Sequence, residues 1–348
     1  AYDKINRQFI IHVLHCMDFP TSLINLIEEC ISTPTFSIII NGTPKGYITS
    51  NRGLRQGDPL SPYLFAVAME FFSLQMELAC YNSLFQPLFK HDPIVNHLLY
   101  ADDLIIAVRA SSTAAQGLLH IFNQLHLFVG LELNTAKSKC YFSKYCTSKT
   151  AILDILQIKE GLLPVKYLGV PLSTNVITDR ECGELVGKIR DKLNGWSSKL
   201  LSFAGRIELV HTVITAKVRF WLQTFHIPDS SIEKINSACA NFIWRGGLHK
   251  VSYDILSRPK SEGGVGLVNL KDLRKTYQVK HGWKIITSNT LWARWMRSRY
   301  LKGSFWTMHE DINSSGVWKC ILRSRELLKT CISRRIANGR DTYLWRDP

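Results

Sequence analysis

Apolar residues recur along this chain with two periods, and the changes between them mark out the elements. From Asn6 to about Cys16, Phe9, Ile10, Val13 and Leu14 are spaced as one face of a helix, and Pro20 bounds the segment. A second helix is predicted over Ser22–Cys30. Phe36–Ile40 is rich in β-formers and ends in Asn41-Gly42, a strong hairpin turn, which makes Tyr47–Ser50 the return strand. Arg52–Pro59 reads as a glycine-rich loop in which Asp58 caps, and Pro59 opens, a long apolar helix over about Leu60–Cys80. An apolar strand–turn–strand is centred on Tyr100-Ala101-Asp102-Asp103, and a helix over about Thr113–Val129 stops at Gly130. Leu131–Leu133 then reads as a short strand.

After Tyr167-Leu168-Gly169-Val170-Pro171-Leu172 the period is helical almost throughout. Helices are predicted at 179–193, 202–226 and 230–244. The second repeats Phe203, Ile207, Val210, Ile214, Val218, Trp221 and Phe225; the third opens with Ser230-x-x-Glu233, a capping box, and closes at Gly246-Gly247. Strands and helices interleave without a βαβ repeat, so the expected class is α+β rather than a doubly wound sheet. A length of 348 residues suits two or three domains.

Composition adds three constraints. The longest apolar clusters, near 36–40 and 98–108, are shorter than a membrane span, so no membrane association is expected. The nine cysteines form no CxxC pair and no Cys/His finger spacing, so zinc is not expected within this chain. Cys16, Cys30, Cys80, Cys182 and Cys239 fall in helical stretches, where buried free thiols are expected. The net charge of +15 is uneven: residues 1–180 carry 14 basic and 14 acidic side chains, whereas residues 181–348 carry 29 and 14. All nine tryptophans, from Trp196 to Trp345, share the basic part. A polyanion held by that part would account for the asymmetry, and ordinary surface lysines would give the same balance. No targeting signal opens the chain, and a helix beginning almost at Ala1 gives it the look of a fragment.

The candidate chemistry lies at Asp102-Asp103. Adjacent carboxylates at the tip of an apolar hairpin raise each other's pKa, and a hard divalent cation would reverse that cost. Taken alone, such a pair in a tight turn is usually solvated turn chemistry. Its neighbours change the weighing. An Arg-Gln-Gly-Asp-Pro-Leu-Ser-Pro loop opens a helix, then come Tyr-Ala-Asp-Asp, a helix, Gly130, Asn134-x-x-Lys137-Ser138 and Tyr167-Leu168-Gly169. This order resembles the palm of reverse transcriptases from plant LINE-type non-LTR retrotransposons. Residues 53–65 look like motif B of that family, 100–103 like motif C, 130–139 like motif D and 166–172 like motif E; Ala1–Asn6 is similar to the tail of motif A. Leu193-Asn194-Gly195-Trp196, Leu201–Arg206 and Gly263–Leu267 match the region that follows the palm in such elements.

The resemblance implies an antiparallel palm sheet packed on helices over 1–165, a primer grip and helical thumb over 166–245, and a basic, Trp-rich connection-like region over 246–348. It implies two Mg²⁺ ions, with Asp102 as the essential motif C ligand and Asp103 as the weaker one. Tyr2 matches the aromatic residue that excludes a 2′-hydroxyl. Arg55, Gln56 and Gly57 would approach nucleotide and template, and Lys137 would protonate or neutralise departing pyrophosphate. Tyr167, Leu168 and Gly169 correspond to the primer grip, and Lys199, Arg206 and Lys217 would meet duplex phosphates. Trp292, Trp295 and Tyr300, interleaved with Arg294, Arg297 and Arg299, are expected in a core, with stacking on nucleic acid as the alternative. The implied partners are an RNA template, a DNA primer and deoxynucleoside triphosphates.

The chain also departs from the family pattern. The motif A catalytic Asp belongs five residues before Tyr2, upstream of Ala1, and Asp3 matches the second acidic residue of that motif, not the metal ligand. The fingers likewise belong upstream. Asn338–Asp347 resembles a segment that precedes a Cys/His-rich region in plant elements. The expectation is an RNA-directed DNA polymerase that is inactive as these 348 residues alone. The alternative is a non-catalytic, nucleic-acid-binding remnant. An RNA-dependent RNA polymerase is disfavoured by Tyr2 and by the Tyr100-Ala101 lead-in.

Overall fold

Asn6 starts the first helix by capping it: its Oδ1 accepts the backbone N–H groups of Gln8 and Phe9 at 3.1 and 3.4 Å. The computed structural model describes residues 2–88, 93–174, 176–197, 201–312 and 314–333. It divides into two compact units, Ala1–Leu162 and Leu163–Pro348. Both mix helices with short strands, as an α+β chain should.

The first unit runs through α1 (Arg7–Cys16), α2 (Thr21–Ser32), β1 (Thr35–Ile40), β2 (Thr43–Thr49), α3 (Ser61–Tyr81), β3 (His97–Tyr100) and β4 (Asp103–Ile106). It continues with α4 (Ser112–Gln124), prolonged by a π-type turn at Leu125–Val129, and then β5 (Lys139–Cys140), α5 (Lys149–Leu156) and β6 (Lys159–Glu160). Asn41 and Gly42 carry φ of 50° and 79°, the left-handed pair that closes a two-residue hairpin between β1 and β2. Helix α3 is the core of this unit, burying Leu64, Phe65, Ala68, Phe72, Met76 and Ala79 and packing on α1 and α4. At 21 residues it is also long and apolar enough to cross a membrane, by length and composition only. That corrects the expectation that no segment reaches span length: Glu70, Ser73, Gln75 and Glu77 interrupt the run in sequence but leave its mean hydropathy high.

Two further expectations change here. Leu131–Leu133 is not a strand; the strand lies later, at β5, which pairs in parallel with β6. Every sheet among the described residues has two strands, three of them antiparallel hairpins and one the parallel β5–β6 pair, so the described residues do not form the expected continuous antiparallel sheet.

The second unit opens with the β7 (Val165–Tyr167) and β8 (Val170–Leu172) hairpin, followed by α6 (Asp179–Ser197). Next come α7 (Phe203–Leu209), a π-type turn at Val210–Ile214, α8 (Thr215–Thr224) and α9 (Asp229–Ile243). The remaining helices are α10 (Tyr253–Leu256), α11 (Leu270–Thr287), α12 (Leu291–Tyr300), α13 (Gly316–Arg323) and α14 (Arg325–Cys331). One hydrophobic cluster joins Val170, Leu185, Val218, Ile235, Leu267 and Tyr277, so a single core lies on both sides of the boundary expected near residue 245. A second gathers Ile285, Met296, Phe305, Trp318, Ile321 and Leu328, with Trp295 and Tyr300 packed on it. Trp292, 36% exposed, stays near the surface against His281.

The expected capping box at Ser230 and Glu233 does not form. Ser230 and Ser231 instead donate their hydroxyls to the Asp179 carboxylate, and Glu233 pairs with Lys271 at 3.0 Å. The nine cysteines are free; Cys182 and Cys239 are buried, but Cys16 and Cys30 are exposed, contrary to the small-hydrophobe reading.

Candidate active site

The hairpin at motif C turns in two residues, because Tyr100 pairs directly with Asp103 across β3 and β4. Ala101 takes the left-handed φ of 52° that such a turn needs. Asp102 therefore lies in the turn itself, Asp103 starts the return strand, and both side chains are exposed. The base of the hairpin is braced by α3. Buried Asn96 donates Nδ2 to the Met76 carbonyl at 3.1 Å, and His97 Nε2 meets Ser73 Oγ at 3.0 Å. Phe72 stands edge-on to the His97 ring, with centroids 5.7 Å apart. Burial pulls the His97 pKa below its usual value, against a smaller upward pull from Glu77 and Glu70.

The motif B loop is held from the other end of the unit. The Gly53 and Leu54 N–H groups donate to the carbonyls of Ile5 and Tyr2 at 2.8 and 2.9 Å. A Cβ on Gly53 would stand 2.7 Å from the Asp3 carbonyl oxygen, so this approach requires glycine. Arg7 reaches back from α1, giving Nε to the Gly53 carbonyl at 2.7 Å and Nη1 to that of Ser50. Within the loop, Asp58 Oδ1 accepts Leu60 N–H at 2.8 Å and Ser61 Oγ donates to the Arg55 carbonyl at 2.6 Å. The helix begins at Ser61, with Pro62 rather than Pro59 in its first turn. Arg55, Gln56 and Gly57 are left exposed, and Arg55 and Gln56 line a cavity of about 310 Å³ that Asp3, Arg7, Arg52 and Asp58 share.

Tyr2 joins this assembly through a flat stack on Phe65, with centroids 4.8 Å apart and planes at 22°. The same segment meets the start of motif D. Gly130, at φ 82°, lies where a Cβ would be 2.7 Å from the Lys4 carbonyl oxygen, and Asn6 N–H donates to Val129 at 2.8 Å. Lys4 pairs with Glu132 at 3.0 Å. Lys137 follows in an exposed turn closed by Asn134, whose Oδ1 accepts the Lys137 N–H at 3.1 Å. Residues 2–6 are thus strung between motifs B and D. Arg7, Asn96 and Ser61 hold the loops without having been read as site residues. A lone arginine or serine beside a loop gives no periodic signal, although a polar Asn96 just before an apolar strand was a usable one.

In the second unit, Leu168 and Gly169 take φ of 48° and 84° and close the β7–β8 turn tightly. Lys166, beside Tyr167, pairs with Glu184 of α6 at 2.7 Å; Lys188 shares that carboxylate, and the two hold it down at about 2. Arg206 corrects its expected role. Only 6% exposed, it donates to the carbonyls of Ile243 and Leu201 at 3.2 and 2.9 Å and is not free to meet a phosphate. Arg297 likewise clamps the carbonyls of Ile285 and Ser288, both at 2.7 Å. Lys217 is half-buried, and Lys199 lies outside the described residues.

Asp102 and Asp103 offer the hard oxygen donors that Mg²⁺ prefers. Among the described residues no three His, Cys, Asp or Glu side chains gather as one ligand set. The pair fits the ion in donor type and falls short in number.

The family described as reverse transcriptase (RNA-dependent DNA polymerase) matches residues 1–172. An uncharacterized mitochondrial protein of Arabidopsis thaliana is 42% identical over 106 residues, 30% of this chain and 86% of its own length. The transposon TX1 uncharacterized 149 kDa protein of Xenopus laevis is 25% identical over 303 residues, 80% of this chain and 21% of its length. The retrovirus-related Pol polyprotein from the type-2 retrotransposable element R2DM of Drosophila melanogaster is 22% identical over 311 residues, 83% of this chain and 28% of its length. The chain belongs to the reverse transcriptase family, with transposon and retrotransposon proteins among its relatives. It spans less than a third of either of those two element proteins.

Proposed function

We propose that these residues form the palm and following helical region of an RNA-directed DNA polymerase from a LINE-type non-LTR retrotransposon. The observation that carries this reading is the two-residue turn that presents Asp102 and Asp103 together at the tip of a braced hairpin. Asp102 and Asp103 would hold Mg²⁺, with a further carboxylate supplied by sequence outside these residues. When bound, the metal activates a primer 3′-hydroxyl and stabilises the leaving pyrophosphate.

The chain's own groups then have separable tasks. The Tyr2 ring, held flat on Phe65, forms a rigid wall under the incoming sugar and selects deoxynucleoside triphosphates. Exposed Arg55, Gln56 and Gly57 line the approach of nucleotide and RNA template. Lys137, on a turn with its ammonium in solvent, neutralises or protonates the departing pyrophosphate. Tyr167, Leu168 and Gly169 grip the DNA primer, and Lys217 meets duplex phosphate; Arg206 does not.

The test is primer extension on an RNA template with Mg²⁺, by protein carrying these residues together with the frame that precedes them. The expected result is extension that Asp102→Ala lowers by roughly a thousandfold or more, the scale of losing a transition-state electrostatic group. No extension by the longer protein would favour the non-catalytic remnant. Extension by the 348-residue chain alone would refute the need for an outside carboxylate.

A further inference from the structure

Helix α3 is apolar on two faces, and the first unit encloses only one of them. The inner face is the core described above. On the outer face Val67, Phe71, Leu74, Leu78 and Tyr81 follow one another at spacings of four, three, four and three. That is the repeat of a seam that packs against a second helix. Among the described residues nothing covers its far half: Leu74 and Leu78 are 51% and 52% exposed, and Tyr81 is 87% exposed. Nearer the core, Phe71 is held between Phe9 of α1 and Phe128 of the π-type turn, at 5.4 and 5.7 Å between centroids. Phe128 is itself exposed and carries the apolar surface beyond α3. A helix apolar on all sides is ordinarily enclosed on all sides, and a continuous exposed stripe marks an interaction surface.

The charges define the partner that fits. In a chain of net charge +15, helices α2, α3 and α4 and the π-type turn contain no lysine or arginine. Arg7 of α1 is turned to the carbonyls of Gly53 and Ser50. The acidic residues of these helices are Glu28, Glu29, Glu70 and Glu77. Glu70 and Glu77 are exposed, and each stands one position before a seam residue, Phe71 or Leu78. Charges at that flanking position select the partner helix. A polyanion or an acidic lipid surface is repelled there. The same face of a second copy brings no cation to the two glutamates.

We propose that the outer face of α3 is a docking site for a helix of another protein, apolar at heptad spacing and flanked by lysine or arginine. Its apolar side chains interleave with Leu74, Leu78 and Tyr81, and its cations meet Glu70 and Glu77. None of the residues assigned to polymerisation takes part.

The experiment titrates the full chain against two labelled three-heptad peptides by fluorescence anisotropy. Both carry leucine at the a and d positions; one carries lysine at e and g, the other glutamate. Neither Mg²⁺ nor nucleic acid is present, so the outcome is independent of whether the chain polymerises. The lysine peptide should bind about tenfold more tightly than the glutamate peptide, or better. The net charge of +15 alone predicts the opposite order. Leu78→Asn should weaken the lysine peptide about tenfold. Leu248→Asn, at a leucine 95% exposed and outside the seam, should leave it unchanged. Glu70→Lys with Glu77→Lys should reverse the preference, a result that loss of folding cannot produce. Equal binding of the two peptides, no binding of either, or a preference that survives the double charge reversal would overturn the site. A chain that is dimeric alone at micromolar concentration, and that Leu78→Asn makes monomeric, would give the seam to a second copy and overturn it as well.

Discussion

The two units fix their loops by different means. In the first, backbone runs against backbone: residues 2–6 lie so close to Gly53 and Gly130 that a Cβ at either would stand 2.7 Å from a carbonyl oxygen. In the second, long cationic side chains reach across gaps to carbonyls. Arg206 takes those of Leu201 and Ile243, Arg274 that of Ile227, Arg297 those of Ile285 and Ser288, and Arg325 those of Phe305, Trp306 and Met308. Arg7 is a counterpart in the first unit, on a single loop. The lesson concerns charge. Part of the basic excess of residues 181–348 is internal architecture, so the net charge overstates the surface available to a polyanion.

The strongest way to break this contrast is Gly53→Ala. At φ +86° with the Asp3 carbonyl in the way, the added methyl should cost on the order of 2–4 kcal/mol in denaturant unfolding. Gly57→Ala, at φ +88° with nothing within 4 Å, should cost only about 1–2 kcal/mol. Equal losses would mean that backbone conformation alone, and not the close approach, makes glycine necessary. In the second unit, Arg206→Met should cost about 1.5–3 kcal/mol, because two carbonyls lose a charged donor. Unchanged stability with weakened nucleic-acid binding would restore Arg206 to the phosphate contact first expected of it.

Arg206 also shows where sequence reading stops. Its helix, its spacing and its charge were legible, but a guanidinium on a long stem reaches solvent or a carbonyl from the same backbone position. One turn was plainer, since Asn41-Gly42 needs left-handed backbone and the residues themselves announce it, whereas Leu168 takes φ 48°, a conformation its residue type does not signal. Ser230 and Glu233 had the composition of a capping box, yet a tertiary partner, Asp179, captured the serine. Leu131–Leu133 had the composition of a strand, but no neighbouring strand pairs with it, and a strand exists only in a ladder. Asp102 and Asp103 were legible through the motifs around them, whereas the Asn96, His97 and Arg7 supports depend on contacts between elements distant in sequence.

Acid offers a smaller probe of the same comparison. Burial lowers the pKa of His97 at the base of the motif C hairpin, and of His226 and His281 in the second unit. Each is protonated more readily in the unfolded chain than in the folded one. Stability is therefore complete above the unfolded value of about 6.5 and declines as pH falls through the window below it. Hydrogen exchange, corrected for intrinsic rates, should show β3 and β4 amides losing protection between roughly pH 7 and 5.5. His97→Gln should flatten that slope for the first unit and leave the decline of α8 and α11 in the second. A slope unchanged by His97→Gln would mean that the hairpin is not braced through this ring.

The smallest effect belongs to the exposed Lys166–Glu184–Lys188 group, which ties the β7–β8 hairpin to α6 by side chains alone. Hydrogen bonds from the two lysines lower the Glu184 pKa to about 2, so the carboxylate stays charged in the folded state well below its unfolded value near 4.3. The stabilisation is present above the unfolded pKa and is lost as pH falls through about 2. Because these groups are in solvent, Glu184→Gln should cost only about 0.2–1 kcal/mol at neutral pH, and less in high salt. The difference between parent and variant should narrow as pH drops from about 4 and vanish near 2. A difference that persists there would mean that Glu184 acts by packing rather than charge. That would place the β7–β8 hairpin with the sterically fixed loops of the first unit.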